Sequence, residues 1–203
     1  MATVPVPSQH TLGLVRRVQA ITIAWMSIEA GLSLWSAWRA HSPVLAAFGG
    51  DSAVELLSAV VVMWRFRHRA PEHDEKRAAK IAGWLLFVLA AYVVFVSVLS
   101  LLGYSEPRPS LLGMSVLVAA VLIMPWLAKE KRRLSALTQS AALGADAAES
   151  TMCFYLSLIA LAGLAVHAIW HVGWADPIAA LAITPLILYE GKEAVRGRPC
   201  SCR

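Results

Sequence analysis

Six apolar runs, each close to the length of a membrane-crossing helix, divide this 203-residue sequence. They lie at roughly 18–37, 45–64, 78–102, 111–127, 137–169 and 177–195, and a helix needs about 20 mainly apolar residues to cross the hydrocarbon of a bilayer. Hydrophobic residues make up 58% and charged residues only 15% of the chain, too apolar a balance for a soluble single-core protein. The expected fold is an all-α membrane protein. We expect a cytoplasmic N-terminal segment at 1–17, a domain of six transmembrane helices at 18–195 and a short cytoplasmic tail at 196–203. No basic-then-apolar leader opens the sequence, so a cleaved signal peptide is not expected.

Orientation follows from the cations. Arg16 and Arg17 precede the first run, and Arg65, Arg67, Arg69, Lys76, Arg77 and Lys80 lie between the second and third. Lys129, Lys131, Arg132 and Arg133 fall between the fourth and fifth, and Lys192, Arg196, Arg198 and Arg203 follow or close the sixth. Sixteen of the 18 Lys and Arg thus share one side, leaving Arg39 and Arg108 on the other. By the positive-inside rule both termini are cytoplasmic. The same distribution accounts for the net charge of +5, so no nucleic-acid partner is expected. Several of the eight Trp, among them Trp25, Trp35 and Trp38, read as interface anchors.

Carboxylates inside the apolar runs are the exception to this pattern. Asp51 and Glu55, four residues apart in Gly50-Asp51-Ser52-Ala53-Val54-Glu55-Leu56, share one face of the second helix. An ionisable group at the bilayer centre costs about 2.5–3.5 kcal/mol, and a cation is the natural partner for two of them. The fifth run repeats the motif loosely, with Asp146, Glu149 and Cys153 in Ala145-Asp146-Ala147-Ala148-Glu149-Ser150-Thr151-Met152-Cys153. Glu55 lies about 11 residues from one end of its run and Glu149 about 12 from the opposite end of its own, so both are expected at a depth of about 16–18 Å. The two pairs can meet at mid-bilayer.

Asp51, Glu55, Glu149 and Cys153 supply up to four ligands, the number a tetrahedral Zn²⁺ requires. Oxygen ligands alone would leave manganese or magnesium open, whereas a sulfur favours zinc or cadmium. Cys153 taken alone also reads as a small apolar core residue. Asp146 and the mid-span Glu29 are accessory metal or proton groups, with a packing hydrogen bond the alternative for Glu29. Cys200 and Cys202 in the tail could capture a soft metal or have no role, and no disulfide framework is implied. Asp176 reads as a helix N-cap before Pro177, and His167 and His171 as interface residues rather than a second metal site. Metal ligands must shed protons, so a metal ion and protons compete for these side chains and protons become the counter-ion.

Asp51-Ser52-Ala53-Val54-Glu55-Leu56-Leu57-Ser58, Ala145 to Cys153, and Trp174-Ala175-Asp176-Pro177-Ile178-Ala179-Ala180-Leu181 together resemble the transmembrane domain of the cation diffusion facilitator, or cation efflux, family. The resemblance implies a homodimeric metal/proton antiporter. Asp51, Glu55, Glu149 and Cys153 fall where that family places its four ion ligands, commonly Asp with Asp and His or Asp with Asp. Three of the four positions differ here from the commonest type, and the family's usual cytoplasmic C-terminal domain is not expected after the sixth span.

The expected function is divalent-cation efflux, zinc first and cadmium or another transition metal next, by proton antiport in a multi-pass protein of the plasma membrane, the inner membrane in a bacterium. The alternative is a membrane protein that binds the ion without moving it. An enzyme is not expected, for there is no His-Glu-x-x-His and no evident nucleophile and base pair.

Overall fold

Residues 9–68 and 72–196 are described by a computed structural model. They form α1 (Gln9–Ala40), α2 (Pro43–His68), α3 (Glu72–Leu101), α4 (Leu111–Thr138), α5 (Ala141–Trp170) and α6 (Ala175–Arg196). Each apolar run becomes one helix. Four segments, Pro43–Trp64, Lys80–Leu101, Leu111–Thr138 and Ala142–Trp170, are long and apolar enough to cross a membrane. The remaining two helices give inward positions to polar groups. These are Gln19, Thr22, Glu29, Ser33 and Ser36 on α1, and Asp176, Thr184 and Glu190 on α6.

The bundle is built around α2, which packs against α1, α3, α5 and α6, while α4 lies against α5 and α1. Large apolar side chains such as Trp84, Val88, Phe95 and Leu122 point outward, and a set of charged side chains is buried. That is the reverse of a protein solvated by water.

Five of the six helices are longer than the apolar runs. α5 is shorter, beginning at Ala141 and not at 137 because 137 and 138 still belong to α4, so Glu149 lies eight residues into its helix rather than 12. The fourth does not stop at 127; α4 passes through Pro125 and carries Lys129 to Arg133 on to Thr138. Leu127, Lys131 and Leu134, spaced at i, i+4 and i+7, face inward, whereas Lys129, Arg132 and Arg133 are exposed, so the basic cluster is an amphipathic helical end and not a loop. Gln139 then adopts a left-handed conformation (φ 52°), and Ser140 caps α5 by accepting from the Leu143 N–H at 3.4 Å. This two-residue turn fixes α4 and α5 as antiparallel neighbours.

Close approach of α1 and α2 depends on Gly49. A Cβ there would lie 2.9 Å from the Leu34 nitrogen and from the Ser33 Cβ. One turn further along, the proximity lets side chains of the two helices meet.

Candidate metal site

One turn of α2 beyond Gly49 sets Ser52 against α1. The Ser52 hydroxyl donates to Glu29 Oε1 at 2.7 Å, and the Cys153 thiol of α5 reaches the same oxygen at 3.3 Å. Glu29 is fully buried and joins three helices. Glu55, one turn after Asp51, is held from the α5 side. Ser150 Oγ donates to its Oε1 at 2.6 Å, tying α2 to the residue that follows Glu149.

Behind Ser150 stands a buried cation. Lys131 Nζ donates to Ser150 Oγ at 2.7 Å and to Asp146 Oδ1 at 3.0 Å, and lies 3.7 Å from Glu55 Oε1. Gln19 of α1 completes the shell of Asp146 by donating to Oδ2 at 2.6 Å. Asp146 therefore has both oxygens engaged.

The other acidic groups are less well served. Asp51 is buried and faces Glu190 of α6 within hydrogen-bonding reach, and Glu149 lies beside Ser58. Glu29 Oε2, Glu55 Oε2, Glu149 Oε2 and Glu190 Oε1 are shielded and have no hydrogen-bond partner. Cys153 lies within electrostatic reach of Glu29, Glu55 and Asp51, and Glu149 within reach of Asp146, Glu55 and Lys131. Acidic groups of α1, α2, α5 and α6 thus crowd one region with oxygens to spare. Among the described residues, no three His, Cys, Asp or Glu side chains are drawn into a ready-made metal cluster. Hydrogen bonds to Ser52 and Ser150 and the ammonium of Lys131 organise the region in the form seen.

Residues 20–196 match the cation efflux transmembrane domain. The chain belongs to the cation efflux family. No curated protein matches it. A cation efflux domain over most of the chain, with four helices fit to cross a bilayer, makes this an integral membrane protein of a metal-cation transport family.

In this cation efflux protein the structure brings Glu55 of α2 against α5 through Ser150, and Cys153 against Glu29. It places Asp146 in an ion pair with Lys131. Cys200 and Cys202 lie outside the described residues. Asp176 is not the cap of its own helix. It sits inside the first turn of α6, and its carboxylate accepts from the Ser42 hydroxyl and, at 3.0 Å, from the Val44 N–H, so it caps the start of α2 from across the bundle. The His167 ring meets the Val172 carbonyl at 3.1 Å, and His171 is exposed at the left-handed end of α5.

Four polar partners escaped the sequence-based expectation: Lys131, Glu190, Ser52 and Ser150. Glu190 carried the same signal as Glu29, an acid inside an apolar run. Lys131 was hidden among exposed cations.

Proposed function

We propose that the protein exports zinc across the plasma membrane in exchange for protons, and that Asp51, Glu55, Glu149 and Cys153 hold the ion in transit. The observation that carries this reading is the set of shielded carboxylate oxygens without partners, Glu55 Oε2 and Glu149 Oε2 foremost. A buried oxygen with no donor is a standing cost, and a cation removes it without breaking an existing hydrogen bond. The Cys153 sulfur beside these oxygens favours zinc or cadmium over harder ions. Glu29 and Asp146 serve as accessory groups: Glu29 orients Ser52 and the Cys153 thiol, and Asp146 holds Lys131.

Exchange with protons follows from the donor set. Each carboxyl or thiol that takes the ion must first be deprotonated, so affinity falls as pH falls, by ~tenfold per pH unit for each proton released. Opening the site alternately to the two sides turns this competition into antiport. The ancillary features of the proposal are six membrane crossings, both termini in the cytoplasm and a homodimer.

Liposomes carrying the full chain and an enclosed zinc-sensitive dye test the proposal. An imposed pH gradient is expected to drive zinc uptake, and Asp51→Ala to abolish it. Flux in Asp51→Ala equal to wild type, or zinc affinity independent of pH, would refute the assignment.

A further inference from the structure

We propose that Lys131 is a tethered counter-cation which stands in for the transported ion when the site is empty and sets how tightly that ion is held. The inference rests on the ion site proposed above and adds a residue that lies outside it. Among the side chains described, Lys131 is the one buried Lys or Arg, and it lies on α4, a helix that contributes none of the four expected ligands.

Its contacts are unequal. Asp146 is held firmly, at 3.0 Å, with Gln19 on the far oxygen. Glu55 is held only from 3.7 Å, inside ion-pair reach but beyond a hydrogen bond, with Ser150 filling the gap by accepting from Lys131 and donating to Glu55 Oε1. A serine hydroxyl can do both at once, since it has one proton to give and lone pairs to receive. The ammonium therefore lowers the cost of burying Glu55 without spending a direct bond on it. A divalent ion arriving at the free Oε2 of Glu55 meets a positive charge already in place, and the two compete for one carboxylate.

The hairpin keeps this competitor from leaving. Lys131 and Asp146 face each other across the capped Gln139–Ser140 turn, so the charge is local and permanent. An exporter gains from such a device. Unopposed carboxylates in a low-dielectric interior would bind the ion too tightly to release it, and the empty site would carry uncompensated charge.

Zinc titration of the detergent-solubilised full chain at one fixed pH, read by competition with a chelating dye, tests the proposal. In the double variant Lys131→Gln with Asp146→Asn, the pair is removed together, so no charge is stranded between α4 and α5. Zinc affinity is expected to rise about tenfold or more. Lys131→Met removes the cation alone and is expected to move in the same direction. Lys131→Arg keeps a cation and is expected to fall nearer wild type than either neutral variant. Unchanged or weaker zinc binding in the neutral variants would overturn the proposal. So would loss of folding in both, which would make the pair a structural brace. A wild-type chain that binds no zinc would overturn the ion site itself and this inference with it; a wild-type chain that binds zinc no differently from the neutral variants would overturn this inference alone.

Discussion

Inward-facing acids at different places in the bundle are handled in opposite ways. Asp176, at the start of α6, spends both oxygens on the first turn of α2, taking the Ser42 hydroxyl on one and the Val44 N–H on the other. Glu149 and Glu55 each keep an oxygen shielded from solvent and without a partner. A carboxylate whose lone pairs are all used is part of the scaffold. One left short in an apolar interior is a place where the fold tolerates a cost, and tolerance of that kind is expected where an external cation completes the group. Burial alone would not separate the two classes. The census of partners does.

The largest effect separating them is expected at the under-served acids. Glu149→Gln removes the charge of a proposed ligand and supplies an amide able to donate, so zinc affinity should fall by about 100-fold or more, equivalent to ~2.7 kcal/mol. Thermal stability should hold or rise, because a shielded charge has been taken away. Zinc titration beside a thermal unfolding scan in detergent checks both. Equal affinity would remove Glu149 from the ligand set, whereas a large drop in melting temperature would place it in the scaffold with Asp176.

Asp176→Ala should show the reverse. It strands the Val44 N–H and the Ser42 hydroxyl at the start of α2, a loss of about 1.5–3 kcal/mol for hydrogen bonds to a charged group. Zinc affinity should stay within about threefold of wild type, since the acid touches none of the expected ligands and its effect is spread over a helix end. If the variant unfolds at the wild-type temperature, or loses zinc binding while still folded, the division between the two acids is wrong.

How much of this was legible beforehand depended on contrast. A carboxylate inside an apolar run stands out, which is why Asp51, Glu55, Asp146, Glu149 and Glu29 were all identifiable as inward-facing groups. Six helices followed from the same apolar runs. Lys131 had no contrast. It sits in Lys129-Glu130-Lys131-Arg132-Arg133, where three neighbours are cations, and only the helical continuation of α4 turns it inward on the face of Leu127 and Leu134. Asp176 differs from the sequence expectation for a related reason: Asp-Pro signals a cap, but the groups it caps belong to another helix. Which helix supplies the N–H groups is a tertiary fact. Ser52 and Ser150 are the clearest case of what one-dimensional inspection omits. Each directly follows an acid in sequence, yet each serves an acid on a different helix, Glu29 and Glu55 respectively. Small neutral residues carry no composition signal, and their roles appear only when helices are set side by side.

The smallest expected effect probes the sulfur. Cys153 has two roles available to it: donor to Glu29 Oε1, as its 3.3 Å contact has it, or ligand to a soft ion beside Asp51 and Glu55. Cys153→Ser keeps the first, because a hydroxyl also donates to Glu29, and alters the second, because a hard oxygen replaces a soft sulfur. If the sulfur is a ligand, cadmium should lose about tenfold more affinity than manganese does, a difference of ~1.4 kcal/mol. If it only donates, the two metals should shift together by less than threefold. Parallel titrations with cadmium and manganese on the folded variant decide between these outcomes. The comparison of metals matters more than the absolute affinities, because a general change in packing around Glu29 moves both ions and cancels in the ratio.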